Sequence, residues 1–211
     1  VWLAALSPLV LLQLVAAGHN DALMAGLMVA GVALAFEGRA LAGVAVCAVA
    51  ATIKLPAAAS VLFIAAAEAR VDWRFAVRAA VVSVVVLGVV TLAVGVGFDW
   101  VTTGVVSTPQ KDRLAITPST GVGYTIASIL HDFGAYANAR SIESAVAGVF
   151  GALIVGVGAW LLWRVRRATL VRDLGAFLVV AALGGPAAWP WYLIWGLSLI
   201  HISEPTRQAE I

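Results

Sequence analysis

Residues 41–67 read LAGVAVCAVAATIKLPAAASVLFIAAA, and how this stretch folds decides the architecture. Everything in it is apolar apart from Lys54 and a few small hydroxyls. As one helix it would be about 40 Å long and strongly tilted in a bilayer, with a charge at its middle. As two short helices it is a hairpin with Lys54 and Pro56 at its tip. The arms then hold 13 and 12 residues and rise only ~20 Å, short of a ~30 Å hydrocarbon core. Lys54 would sit below the outer surface. The single span stays open, but Pro56 disfavours an uninterrupted helix, so the hairpin is preferred.

The rest of the chain asks for the same solvent. Of its 211 residues, 63% are hydrophobic and only 11% charged, and the mean hydropathy is +1.02, whereas water-soluble domains carry about 25% charged residues. The expected fold is all-α, a polytopic transmembrane helix bundle in the plasma membrane. A soluble enzyme, a secreted disulfide scaffold and a disordered tail are excluded. Cys47 stands alone in an apolar run and reads as a small buried hydrophobe. Further spans are expected over 1–17, 22–36, 76–97 and 144–163, and over 174–200 with a break at 184–190. Between them, residues 98–143 form a polar outer loop. Within it, Gly121–Leu130 is too short to cross and reads as a helix at the interface, capped by Ser119 or Thr120.

Both ends carry expectations of their own. The chain starts inside an apolar helix without Met or a cleavable leader, so it reads as an internal piece of a longer protein. Residues 201–211, HISEPTRQAEI, have no periodicity and read as translated sequencing adapter, which leaves 1–200 as the membrane unit.

Arginine placement orients the bundle, because positive charge marks the cytoplasmic side. With the hairpin, Arg39, Arg70, Arg74, Arg78, Arg164, Arg166, Arg167 and Arg172 lie inside, 8 cations against 4 outside; with a single span the count is 7 against 4. The rule does not separate the two topologies. Both place the 98–143 loop and the Trp189-Pro190-Trp191-Tyr192 corner outside. The formal net charge of +2 is thus an orientation signal, and no nucleic-acid partner is expected.

Few residues can carry chemistry. A lysine in an apolar stretch costs free energy unless it snorkels or finds a partner, so Lys54 is either an anion-binding group or an interfacial cation. His19-Asn20-Asp21 sets an imidazole, an amide and a carboxylate at a helix start. Capping by Asn20 or Asp21 explains one of the three, and sugar binding or proton transfer is the other reading. Lys111 and Arg113 tip the outer loop as solvated charges or substrate contacts. Trp191 and Tyr192, with Trp195 a turn beyond, are an aromatic belt or a platform for sugar and isoprenoid. Paired-cysteine metal motifs, glycine-rich phosphate loops and nucleophile elbows are missing, and no cofactor is expected.

The runs SPLVLL (7–12), GHNDALM (18–24), IKLP (53–56), STP (107–109) and WPWYLIW (189–195) together resemble the polyprenol-phosphate-mannose-dependent alpha-(1->6)-mannopyranosyltransferases of actinobacterial lipomannan synthesis. These belong to the GT-C class of multi-spanning transferases. The resemblance covers nearly all of residues 1–200. It implies transfer of mannose from a polyprenyl phosphate mannose donor to a lipoglycan acceptor on the extracytoplasmic face. It implies Lys54 at the carrier's phosphate and Asp21 and His19 as base or its support. Asn20, Lys111, Arg113, Trp191 and Tyr192 fall to substrate binding. The class usually carries its main carboxylate in a first outer loop, which this sequence lacks, so Asp21 can be a supporting residue instead. A transporter or flippase of a lipid-linked or small anionic solute would also use a buried lysine and broken helices. A non-catalytic scaffold leaves Lys54 unexplained.

Overall fold

The computed structural model describes residues 20–95, 97, 117–133, 139–185 and 192–203, the last three by backbone alone. The helices are α1 (Asp21–Phe36), α2 (Ala40–Ile53), α3 (Ala58–Ala69), α4 (Arg74–Val94), α5 (Pro118–Asp132), α6 (Ala139–Arg164), α7 (Leu170–Gly184) and α8 (Leu193–Ser203). Short 3-10 turns cover Leu55–Ala57 and Arg167–Thr169. Among the described residues there is no strand, and the chain is an all-α membrane protein. The expected span over 1–17 and the loop residues 98–116 lie outside the described residues.

The 41–67 stretch is a hairpin. At Lys54 the backbone turns extended (φ −154°, ψ 131°), and Pro56, which lacks an N–H, opens the turn that starts the second arm. At the far end from the tip, Arg167 donates from Nη2 to the Ala35 carbonyl (2.8 Å) and from Nε to Glu68 Oε1 (2.9 Å). One guanidinium thus touches the last turns of α1 and α3. Helices α1 and α2 pair closely enough that a Cβ on Gly43 would collide with the Gly31 carbonyl.

Helices α1, α2, α3 and α7 hold 16, 14, 12 and 15 residues, or about 24, 21, 18 and 22 Å. They surround the core, where Met24, Met28, Val44, Phe63, Ile64, Leu174, Leu178 and Leu199 are fully buried and the Phe63 and Phe177 rings lie 5.7 Å apart. Helices α4 and α6, with 21 and 26 residues, are long and apolar enough to cross a membrane, yet only 11% of each apolar window is buried. Val77, Val81, Val84, Val85, Val89 and Leu92 on α4 and Val149, Leu153 and Val155 on α6 are exposed. Such rows suit lipid.

Several expectations are corrected. Residues 174–200 form not one broken span but two helices that fold back on each other, with Gly196 of α8 against Gly175 and Val179 of α7; of the expected break at 184–190, residues 186–190 lie outside the described residues. Helix α5 starts at Pro118, and its cap is Thr117, not Ser119 or Thr120. Thr117 Oγ1 accepts from the Thr120 N–H (3.1 Å) and Thr120 Oγ1 accepts from the Thr117 N–H (2.8 Å). Pro118 at the first helical position fixes this frame. Nor does α5 lie alone: it runs antiparallel to the start of α6, Gly123 against Glu143, and Ser119 Oγ donates to the Gly185 carbonyl (3.2 Å). Helix α6 begins at Ala139, inside the expected loop. Helix α8 runs into His201–Ser203; residues 204–211 lie outside the described residues.

Candidate functional site

Three chain turns meet at the hairpin tip: the start of α1, the Lys54 bend and the start of α8. Asp21 occupies the first position of α1, with Asn20 preceding it in the cap position. Neither does what a cap does. The Asn20 side chain makes no capping hydrogen bond and is exposed. The Asp21 carboxylate, 1% exposed, turns away from the backbone and takes Lys54 Nζ on both oxygens, each at 2.9 Å. Its Oδ1 also accepts from Trp195 Nε1 (2.8 Å). The α1 helix dipole adds a favourable field for the carboxylate.

The ammonium is flanked by aromatic faces. Lys54 Nζ lies 4.6 Å from the Tyr192 ring centroid and 5.4 Å from that of Trp195. The two rings are themselves stacked, 4.1 Å apart and 25° from parallel. The cation–π attraction and the bidentate carboxylate hold Nζ in place. The Lys54 side chain is still 28% exposed. An ammonium has three N–H donors; two serve the carboxylate, which leaves one for a ligand oxygen.

Of the residues singled out in the sequence, the structure brings together Asp21, Lys54 and Tyr192, and leaves Asn20 at the rim. His19, Lys111, Arg113 and Trp191 lie outside the described residues. The sequence reading missed Trp195 as the carboxylate's donor, having placed it in an aromatic belt or a platform for sugar and isoprenoid. Its signal was the three-residue spacing from Tyr192, which sets both rings on one helix face. Among the described residues no group of three or more His, Cys, Asp and Glu side chains gathers in one place.

Eight arginines sit at the opposite end of the bundle, on the turns after α1 and α3, the first turns of α4 and the α6–α7 connection. These are the eight cations counted on the inner side; Lys111 and Arg113, counted on the outer side, lie outside the described residues.

A sequence profile described as "Alpha-(1->6)-mannopyranosyltransferase, N-terminal domain" matches residues 1–70, and one described as "MptB C-terminal domain" matches residues 118–209. Asp21 and Lys54 fall in the first segment, Tyr192 and Trp195 in the second. An alpha-(1->6)-mannopyranosyltransferase A of Mycobacterium tuberculosis is 31% identical over 226 residues, covering 99% of this chain and 42% of that protein. A protein of Mycolicibacterium smegmatis named "Probable alpha-(1->6)-mannopyranosyltransferase" is 32% identical over 239 residues, covering 93% and 42%. The Corynebacterium glutamicum alpha-(1->6)-mannopyranosyltransferase A is 26% identical, covering 97% and 46%. The chain thus spans about two fifths of the length of these relatives. No solved structure matches.

Proposed function

The chain belongs to the alpha-(1->6)-mannopyranosyltransferase family, and on that premise we propose that it moves mannose from a polyprenyl phosphate carrier to a growing mannan or lipoglycan at the extracytoplasmic face of the plasma membrane, with Lys54 holding the carrier's phosphate. The observation that carries this reading is the third face of the Lys54 ammonium, which Asp21, Tyr192 and Trp195 fix in position and leave partly open. In the transfer, the bond between the anomeric carbon and the phosphate oxygen breaks and one to the acceptor oxygen forms. The acceptor's proton passes to a base, and the phosphate keeps the negative charge. A cation already in place costs no reorganisation as that charge grows.

Asp21 supports this step from behind. A carboxylate 1% exposed, with Lys54 on both oxygens and the Trp195 N–H on Oδ1, is shut off from an acceptor hydroxyl, so its role is to aim Lys54, and the base is another group, with His19 the candidate beside it in sequence. Lys111, Arg113 and Trp191 are proposed as further substrate contacts.

The test is mannosyl transfer from purified polyprenyl phosphate mannose, comparing wild type with the paired variant Asp21→Asn plus Lys54→Gln. The pair removes both charges together and leaves no lone buried ion. A charge-assisted contact contributes about 1.5–3 kcal/mol, which predicts a loss of about 10- to 150-fold. A folded paired variant with wild-type transfer would sink the reading.

A further inference from the structure

At the arginine end, Asp173 on the first turn of α7 is as buried as Asp21, with a side chain 1% exposed. Its Oδ1 accepts from Arg164 Nη2 of α6 (2.9 Å), and Arg172 lies 3.4 Å from the same atom. Its Oδ2 is buried with no hydrogen-bond partner among the described residues. A buried carboxylate with an orphan oxygen is not what stability alone would retain. What it achieves is to draw two guanidiniums from different helices onto one point. Two arginines on one carboxylate leave an uncompensated positive charge, and both remain open, Arg164 at 37% and Arg172 at 60%. Arg166, between them in sequence, is exposed as well.

The surroundings indicate what such a site meets. Trp160, half exposed, lies under the Arg164 guanidinium at 4.0 Å, and Trp163 is exposed beside it. Exposed tryptophans at the end of a lipid-facing helix mark the headgroup level of a bilayer. A phosphate oxygen there would face the free N–H groups of both arginines, in the fork geometry that guanidinium offers.

We propose that Arg164 and Arg172, gathered by Asp173, bind the phosphate of an anionic phospholipid headgroup at the α6–α7 turn, with the exposed Arg166 beside them in sequence adding to the positive charge. The proposal rests on the membrane reading of the fold and not on the transfer reaction, whose residues lie at the other end of the bundle.

The experiment is thermal melting of the full chain in neutral detergent, titrated with short-chain phosphatidylglycerol, with phosphatidylcholine, or with inorganic phosphate. Phosphatidylglycerol should raise the melting temperature in a saturable way, as a ligand of the folded state does, and the other two should not. Arg172→Gln should shift the midpoint of that titration by about five- to tenfold, and Arg166→Gln, fully on the surface, should act in the same direction. Arg78→Gln, which sits on α4 paired with Asp72, should leave the midpoint unchanged. No rise with phosphatidylglycerol would overturn the proposal, as would an equal effect of Arg78→Gln, which means diffuse surface charge. So would inorganic phosphate reproducing the full rise, which means a free-anion site. Should Arg172→Gln not fold, an unshifted midpoint in Arg166→Gln overturns it. Mannosyl transfer is not read in any arm, so the two proposals fail separately.

Discussion

Asp21 and Lys54 are 33 residues apart, and each had a local explanation in the sequence: a helix cap for one, a snorkelling or phosphate-bound cation for the other. That they answer each other is not visible in the sequence, because periodicity and capping rules report neighbours along one helix, and this pair joins two turns. The pairing changes what a single substitution does. Lys54→Met preserves length and apolar bulk. In the structure it strands a carboxylate that is 1% exposed. Breaking one side of a buried ion pair costs about 3–5 kcal/mol, and the partial exposure of Lys54 sets the expectation at the lower end. We expect Lys54→Met to be destabilised by about 3 kcal/mol in thermal or denaturant unfolding in detergent, and Asp21→Asn plus Lys54→Gln to recover most of that. Equal stability of Lys54→Met and wild type would mean that the ion pair is not formed.

The hairpin break at Lys54 and Pro56 was legible at the level of the element, because a proline and a charge together mark a stop that apolar residues on either side cannot hide. The start of α5 was misplaced by a few residues: three hydroxyl residues within four positions, Thr117, Ser119 and Thr120 around Pro118, all suit a cap, and only the proline's preference for the first turn selects among them. The close pairing of α1 and α2 was not legible, since glycine is frequent throughout. Yet it sets the site, because that pairing carries Asp21 to the level of Lys54. Gly43→Val would put side-chain atoms into the Gly31 carbonyl. Overpacking of this kind costs about 1–3 kcal/mol, and the separation it forces should also part Asp21 from Lys54. We expect transfer to fall more steeply than stability, and a Gly43→Val protein with wild-type transfer would show that the two helices can move apart without disturbing the pair.

Composition alone identified the solvent of the whole molecule, while its arginine count could not choose between 8 against 4 and 7 against 4. Packing chose, through Arg167 reaching both Ala35 and Glu68. The orientation that follows predicts that a cysteine placed at residue 111 reacts with an impermeant thiol reagent on intact cells, and one at 167 does not; the reverse pattern would invert the bundle. The helix lengths lead somewhere else. A centre of about 18–24 Å flanked by α4 at about 31 Å and α6 at about 39 Å does not match any single bilayer thickness. Lipids beside such short helices would shorten or tilt, at a modest energy per ångström of mismatch. On the proposed reading of Lys54 as the phosphate's partner, a carrier would reach it most easily where the membrane is thin. Transfer should therefore decline as acyl chains of the reconstituted bilayer lengthen, at constant headgroup, which makes membrane thickness itself a control on the rate.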